Sequence, residues 1–141
     1  VKAVLFDTNI LLDGLLQRQP WAPSVNALWQ ANEDGILRAC IASTSLTNIF
    51  YIVRKVSDRA RAEHAIDACL DAFTLLPIDA YVMSLARSIN GGDFEDDVLL
   101  AAALRWGTEA IITRDPRGFR KATIPVLSPE QGQVLYLGAP P

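Results

Sequence analysis

The sequence predicts an α/β domain built on a parallel sheet of about five strands, with helices packed against it. Three observations carry this. Strand-like and helix-like segments alternate along the chain, as they do where crossover helices join parallel strands. The strand-like runs are continuously apolar rather than alternating, which suits strands buried on both faces. Two of these runs are followed by an aspartate, Asp7 at once and Asp115 after Arg114, at the edge where open α/β sheets bind ligands.

The first strand is Ala3-Val4-Leu5-Phe6, and Asp7-Thr8-Asn9 ends it and can cap a short helix from Ile10 to Leu16. Gln17 to Pro23, with two prolines around Trp21, reads as a loop, followed by a helix from about Ser24 to Ala31 that stops near Gly35. The second strand covers Leu37 to Ala42. Ser43-Thr44-Ser45 then reads as the cap of a helix carrying Leu46, Ile49, Phe50 and Val53 at helical spacing. Ser57-Asp58 starts another helix, whose apolar face is Ala62, Ala65, Ile66, Cys69, Leu70 and Phe73. Thr74 to Pro77 is a short strand, and Asp79 caps a helix from about Ala80 to Ile89. Asn90-Gly91-Gly92 breaks the chain before Asp93 opens an apolar helix through Val98 to Trp106. Ala110 to Thr113 is the fourth strand, ending at Arg114-Asp115-Pro116. Ile124 to Leu127 is the fifth, marked by its proline as an edge. Ser128-Pro129-Glu130 starts a final short helix, and the tail from Gly138 reads as loose.

A chain of 141 residues, half of them hydrophobic and 21% charged, fits one domain over 1–141 and argues against disorder. Its longest apolar runs are cut by Asp7, Asp13 or Arg54, well short of the ~18 residues a membrane span needs. The N-terminus lacks the pattern of a secretory signal, so the expected location is the cytoplasm. Cys40 and Cys69 sit in apolar patterns with no partner at metal-ligand spacing and read as buried reduced thiols. His64, the single histidine, reads as a helix-surface residue and rules out a histidine-rich metal site. The net charge of −3 does not announce a nucleic-acid partner, so the placement of the acids matters more than their number.

Asp7 and Asp115 each follow a buried strand and would stand on the same edge of the sheet. Between them in sequence lies Gly92-Asp93-Phe94-Glu95-Asp96-Asp97. Asp93, Asp96 and Asp97 are spaced to share one face of the first helical turn. Helix capping explains one or two such acids, but not four among five residues. Two carboxylates 5 Å apart repel by roughly 3 kcal/mol at an effective dielectric of 20. Three clustered ones therefore need either a proton or a cation. All-oxygen ligands without histidine or cysteine select Mg²⁺ or Mn²⁺ over zinc, and such ions suit phosphodiester hydrolysis. Arg114, Arg117, Arg120 and Lys121 flank the last acid as a basic lip for a phosphate backbone, an ordinary solvated loop being the alternative.

These residues resemble the PIN-domain family, especially the small VapC-like ribonuclease toxins of toxin–antitoxin pairs. Val4-Leu5-Phe6-Asp7-Thr8-Asn9-Ile10 resembles the family's opening strand and first acid, and Ser43-Thr44-Ser45-Leu46-Thr47-Asn48-Ile49 its second motif. Asp93-Phe94-Glu95-Asp96 running into Leu100-Ala101-Ala102-Ala103-Leu104 resembles the third, and Ile111-Ile112-Thr113-Arg114-Asp115-Pro116 the fourth. The resemblance implies a sandwich of helices around a central parallel sheet. It also implies RNA hydrolysis with one or two Mg²⁺ or Mn²⁺ ions at Asp7, Asp96 and Asp115. Asp93 and Asp97 would be auxiliary, and Thr8, Asn9 and Thr113 supporting. A small antitoxin and a homodimer are the partners it implies, with Trp21, Trp29, Phe50 and Tyr51 as apolar positions for a partner surface or the core. One position departs: Asn48 stands where the family usually has glutamate, keeping a carbonyl oxygen but losing a charge.

Two other functions fit parts of the pattern. An aspartyl-nucleophile phosphatase of the haloacid-dehalogenase type also opens with an apolar strand and Asp. It needs a second Asp two residues on, where this chain has Asn9. A PIN fold that has lost activity and serves as an RNA- or protein-binding module is the other, and Asn48 is the residue that favours it.

Overall fold

The computed structural model describes residues 1–138, so the expected loose tail falls, from Ala139 on, outside the described residues. Strands β1 (Lys2–Phe6), β2 (Leu37–Ala42), β3 (Thr74–Leu76), β4 (Ala110–Ile112) and β5 (Val126–Leu127) form one sheet in the order β3-β2-β1-β4-β5. Every pairing is parallel. Strand faces alternate. Val4 and Phe6 enter one core with Leu37, Ala39, Ile41, Ala110 and Ile112, while Leu5 enters the other with Cys40, Ala42 and Ile111. Burial on both faces explains why these strands read as unbroken apolar runs.

The first core is covered by α1 (Thr8–Leu15), α2 (Ala22–Glu33), α3 (Ser43–Val56), α4 (Arg59–Ala72) and, at its margin, α7 (Pro129–Leu137). The second is covered by α5 (Ala80–Ile89) and α6 (Phe94–Trp106). The result is the expected three-layer sandwich. Asn90 ends α5 in the left-handed region at φ 55° and Gly92 follows at φ 108°, the sharp break the Asn-Gly-Gly run predicts. No helix among the described residues is long and apolar enough to cross a membrane.

Several local expectations change. α1 begins at Thr8 and α2 at Ala22, each two residues early, in α2 because Pro23 is accommodated in the first helical turn. Ser43 is helical rather than a cap, and α3 starts from Ala42 without a side-chain cap. The serine hydroxyls are engaged elsewhere: Ser43 accepts from the Ile78 N–H at 3.2 Å, and Ser45 bonds Thr8 at 2.8 Å. Leu70 lies outside the apolar face assigned to it and is 51% exposed. β5 pairs over only two residues, although Pro125 still accepts from the Ile111 N–H. Trp29 and Phe50 pack against the first core, whereas Tyr51 is exposed. Cys40 and Cys69 are free and buried, and burial raises both thiol pKa values. His64 is exposed on α4.

Candidate functional site

Strand order reverses at β1: β2 and β3 extend the sheet on one side, β4 and β5 on the other. The crevice beyond the carboxyl ends of β1 and β4 is therefore the place to expect a ligand. A cavity of about 380 Å³ lies there, lined by Asp7, Thr8, Asn9, Asn48, Asp93, Glu95, Asp96 and Asp115 with Leu12 and Ile52.

Asp7 is placed by both neighbours. Its N–H donates to the Ile112 carbonyl of β4 at 2.9 Å. It occupies the N-cap of α1, yet its side chain makes no cap bond. The carboxylate instead accepts from the Thr113 hydroxyl at 2.7 Å, and that hydroxyl oxygen accepts from the Asp115 N–H at 3.0 Å. One buried threonine thus joins the acid after β1 to the acid after β4. Burial pushes the Asp7 carboxyl above its ordinary pKa, against the pull of Thr113.

Asp96 comes from the first turn of α6, where Asp93 caps the helix by accepting the Asp96 N–H at 3.1 Å. Burial, and then the charges of Asp7, Asp93, Glu95 and Asp115, push the Asp96 carboxyl up to about 7. The backbone of Gly118 lies so close that a Cβ there would overlap the Asp96 carboxylate. Asp115 is exposed, and a hydrogen bond from Arg117 at 3.0 Å holds its carboxyl below the usual range.

Asn48 and Glu95 close one side of the cavity, Asn48 donating to Glu95 at 3.2 Å. Glu95 carried no role in the sequence reading. The signal for it was the surplus of acids at the start of α6, taken together with the missing charge at position 48.

Three expected site residues are elsewhere. Asp97 is buried beside the cleft and accepts the Gly91 N–H at 3.0 Å, fixing the turn before α6. One helical step of about 100° separates Asp97 from Asp96, and here it turns the Asp97 carboxylate to the Gly91 N–H instead of the cavity. Arg114 is not part of a basic lip: it is engaged with Asp13 and stacked on Trp21. Arg117 and Arg120 do line a second cavity of about 460 Å³, which shares Asp93, Asp96 and Asp115 with the first. Arg120 donates to the Gly91 carbonyl at 3.0 Å. Lys121 is exposed and does not line that cavity.

The donors fit a hard divalent cation. They are oxygens only, and after burial, the charges of the neighbouring acids help to raise the Asp96 carboxyl. Among the described residues, no three such side chains converge on one point at ligand distance. An ion here would therefore complete its shell with water, as Mg²⁺ commonly does.

A family model described as PIN domain matches residues 3–117. No curated protein sequence matches the chain. Solved structures do. DNA-bound VapBC from Salmonella typhimurium superposes with a TM-score of 0.72 at 18% identity, covering 92% of this chain and 99% of that one. FitAcB from Neisseria gonorrhoeae gives 0.69 at 19%, covering 89% and 97%. VapC20 of Mycobacterium tuberculosis, a sarcin-ricin loop cleaving toxin, gives 0.68 at 11%, covering 82% and 92%. At these identities the structures speak for the fold, and the family model speaks for the lineage. With its five-stranded parallel sheet and its acids gathered at the β1–β4 crevice, the chain belongs to the PIN domain family.

Proposed function

We propose that this protein is a divalent-metal-dependent endoribonuclease, the toxin of a toxin–antitoxin pair. The observation that carries the reading is the meeting of Asp7, Asp96 and Asp115 in one cleft, where burial first and the neighbouring acids second push the Asp96 carboxyl up to about 7. Such a cluster is costly unless a cation occupies it. Asp7, Asp96 and Asp115 would hold Mg²⁺ or Mn²⁺, with Asp93, Glu95 and the Asn48 carbonyl within the same cavity. Bound there, the ion supplies an activated water and charge to stabilise the phosphoryl oxygens. Thr113 fixes the direction of the Asp7 carboxylate, and Thr8, braced by Ser45, lines the wall beside it. Arg117 and Arg120 stand where a phosphate of the RNA backbone can be held next to the acids.

The antitoxin is part of this reading because solved relatives include toxin–antitoxin complexes, and a homodimer belongs to it as well. The phosphatase alternative is disfavoured by Asn9, which lies in the cleft where that chemistry needs an acid.

Purified protein should cut labelled single-stranded RNA with Mn²⁺ or Mg²⁺ and stop in EDTA. Metal binding with intact RNA, across several sequences, would instead favour the binding-module reading. Asn48→Glu is expected to raise Mn²⁺ affinity, because Glu95 and the new acid would both face the ion. Calorimetry showing unchanged affinity would place position 48 outside the metal's reach.

The Asp96 shift gives a stability signature. Its carboxyl titrates near 7 when folded, against an ordinary value of 3.8. Below pH ~4 both states carry the proton, and between ~4 and ~7 only the folded state does, so stability falls as pH rises through that window. Burial shifts Asp7 in the same direction. The melting temperature in EDTA should therefore drop from pH 4 to pH 7 and recover on adding Mn²⁺. In Asp96→Asn the drop should be smaller, and an unchanged slope in that variant would contradict the assignment.

A further inference from the structure

One buried charge is not used by the site as described. Asp13 lies near the end of α1, the helix that carries Asp7 at its N-cap, and it is fully buried. The Arg114 guanidinium holds it through two bonds, Nε to Oδ2 at 2.8 Å and Nη2 to Oδ1 at 3.3 Å. Arg18 approaches the same carboxylate at 3.7 Å. The Arg114 guanidinium also stacks on Trp21, 4.0 Å from the ring centroid. A carboxylate with no exposure is tolerated only when paired in this way.

The position of Arg114 in the chain gives the pair its meaning. It stands between Thr113, whose hydroxyl is bonded to Asp7, and Asp115, which has no other anchor in α1. Asp115 is exposed, and the bonds of its carboxylate are to the still more exposed Arg117. The path of the chain after β4 is therefore pinned to α1 at two successive residues, Thr113 at one end of the helix and Arg114 at the other. We infer that the Asp13–Arg114 pair, stacked on Trp21, is a positioning device that sets where Asp115 stands in the cleft, and that Arg114 is not a phosphate contact. The inference rests on the nuclease reading. Arginine is needed for it: a lysine would keep the charge but lose both the fork and the flat face that stacks.

The test compares wild type with Arg114→Lys and Asp13→Asn, using single-stranded RNA at several salt concentrations and Mn²⁺ titration by calorimetry. A positioning role predicts that kcat falls by about tenfold or more in both variants. It also predicts that KM for RNA changes by less than about twofold, that the salt dependence is unaltered, and that Mn²⁺ binds more weakly. Trp21→Leu, which keeps both charges, should show a milder form of the same pattern and serves if either first variant fails to fold. Wild-type kcat in Arg114→Lys would overturn the inference while leaving the nuclease reading intact. So would a raised KM with a shallower salt dependence and unchanged kcat, the signature of a phosphate contact. A wild-type protein that neither binds Mn²⁺ nor cuts RNA would overturn both.

Discussion

Asp7→Asn should abolish most RNA cleavage while leaving the fold intact or more stable. Asparagine has the shape of aspartate and can present its carbonyl oxygen to the Thr113 hydroxyl, which now bonds the carboxylate at 2.7 Å. What it loses is the charge. In a site that works by holding a cation against a phosphate, losing one charge-stabilising group costs about a hundredfold or more in rate. The stability effect has the opposite sign. Asp7 is 7% exposed, and burial raises its carboxyl pKa, with Asp115 adding to the rise. Ionising it is therefore unfavourable in the metal-free protein, and the neutral amide relieves that penalty. Rate measurements with Mn²⁺ and melting curves in EDTA would show both effects in one variant. Activity retained would remove Asp7 from the site, and a melting temperature well below wild type would mean the carboxylate was structural.

Gly118→Ala should be the second most damaging single change to activity, although the residue carries no functional group. Gly118 lies in the short 3-10 helix Pro116–Phe119, which Asp115 precedes, and its backbone is packed against the Asp96 carboxylate. A methyl group there would overlap that carboxylate. The backbone of Gly118 is not in the left-handed region, so alanine is not strained by its conformation. The collision is relieved when Asp96 swings away, which costs little stability and removes an acid from the cleft. Misplacing a reacting group by about 1 Å can cost roughly a hundredfold in rate. Calorimetry should also find weaker Mn²⁺ binding. A folded variant with wild-type rate and affinity would show that Asp96 works from another position.

The strands and the two acids that follow them were legible because one rule governs both. An unbroken apolar run marks a strand buried on two faces, and the chain leaving it must emerge at the sheet edge. Asp7, directly after β1, and Asp115, three residues beyond β4, obey that rule, and Asp96 emerges from a helix whose cap, Asp93, is itself a local signal. The misread residues are those whose direction is set by distant partners. Arg114 looked like one of four basic residues on a loop, yet its partner Asp13 lies 101 residues away in sequence. Ser43 and Ser45 had good capping chemistry, but Ile78 and Thr8 offered their hydroxyls other partners. Asp97 differs from Asp96 only by one helical step, and that step turns it from the cleft to the Gly91 turn.

The threonine hydroxyl that joins Asp7 to the Asp115 backbone has a consequence for how much the surroundings can vary. Asp7 and Thr113 continue the register in which Phe6 faces Ile112, so their separation is inherited from the repeat between adjacent strands, ~4.8 Å. That repeat is the same in every parallel sheet and does not depend on the loops. Insertions in the turns joining α3 to α4, or α4 to β3, would leave this ruler unchanged. A slip of one residue between β1 and β4 would turn Asp7 to the opposite face and dismantle the cleft with every loop intact.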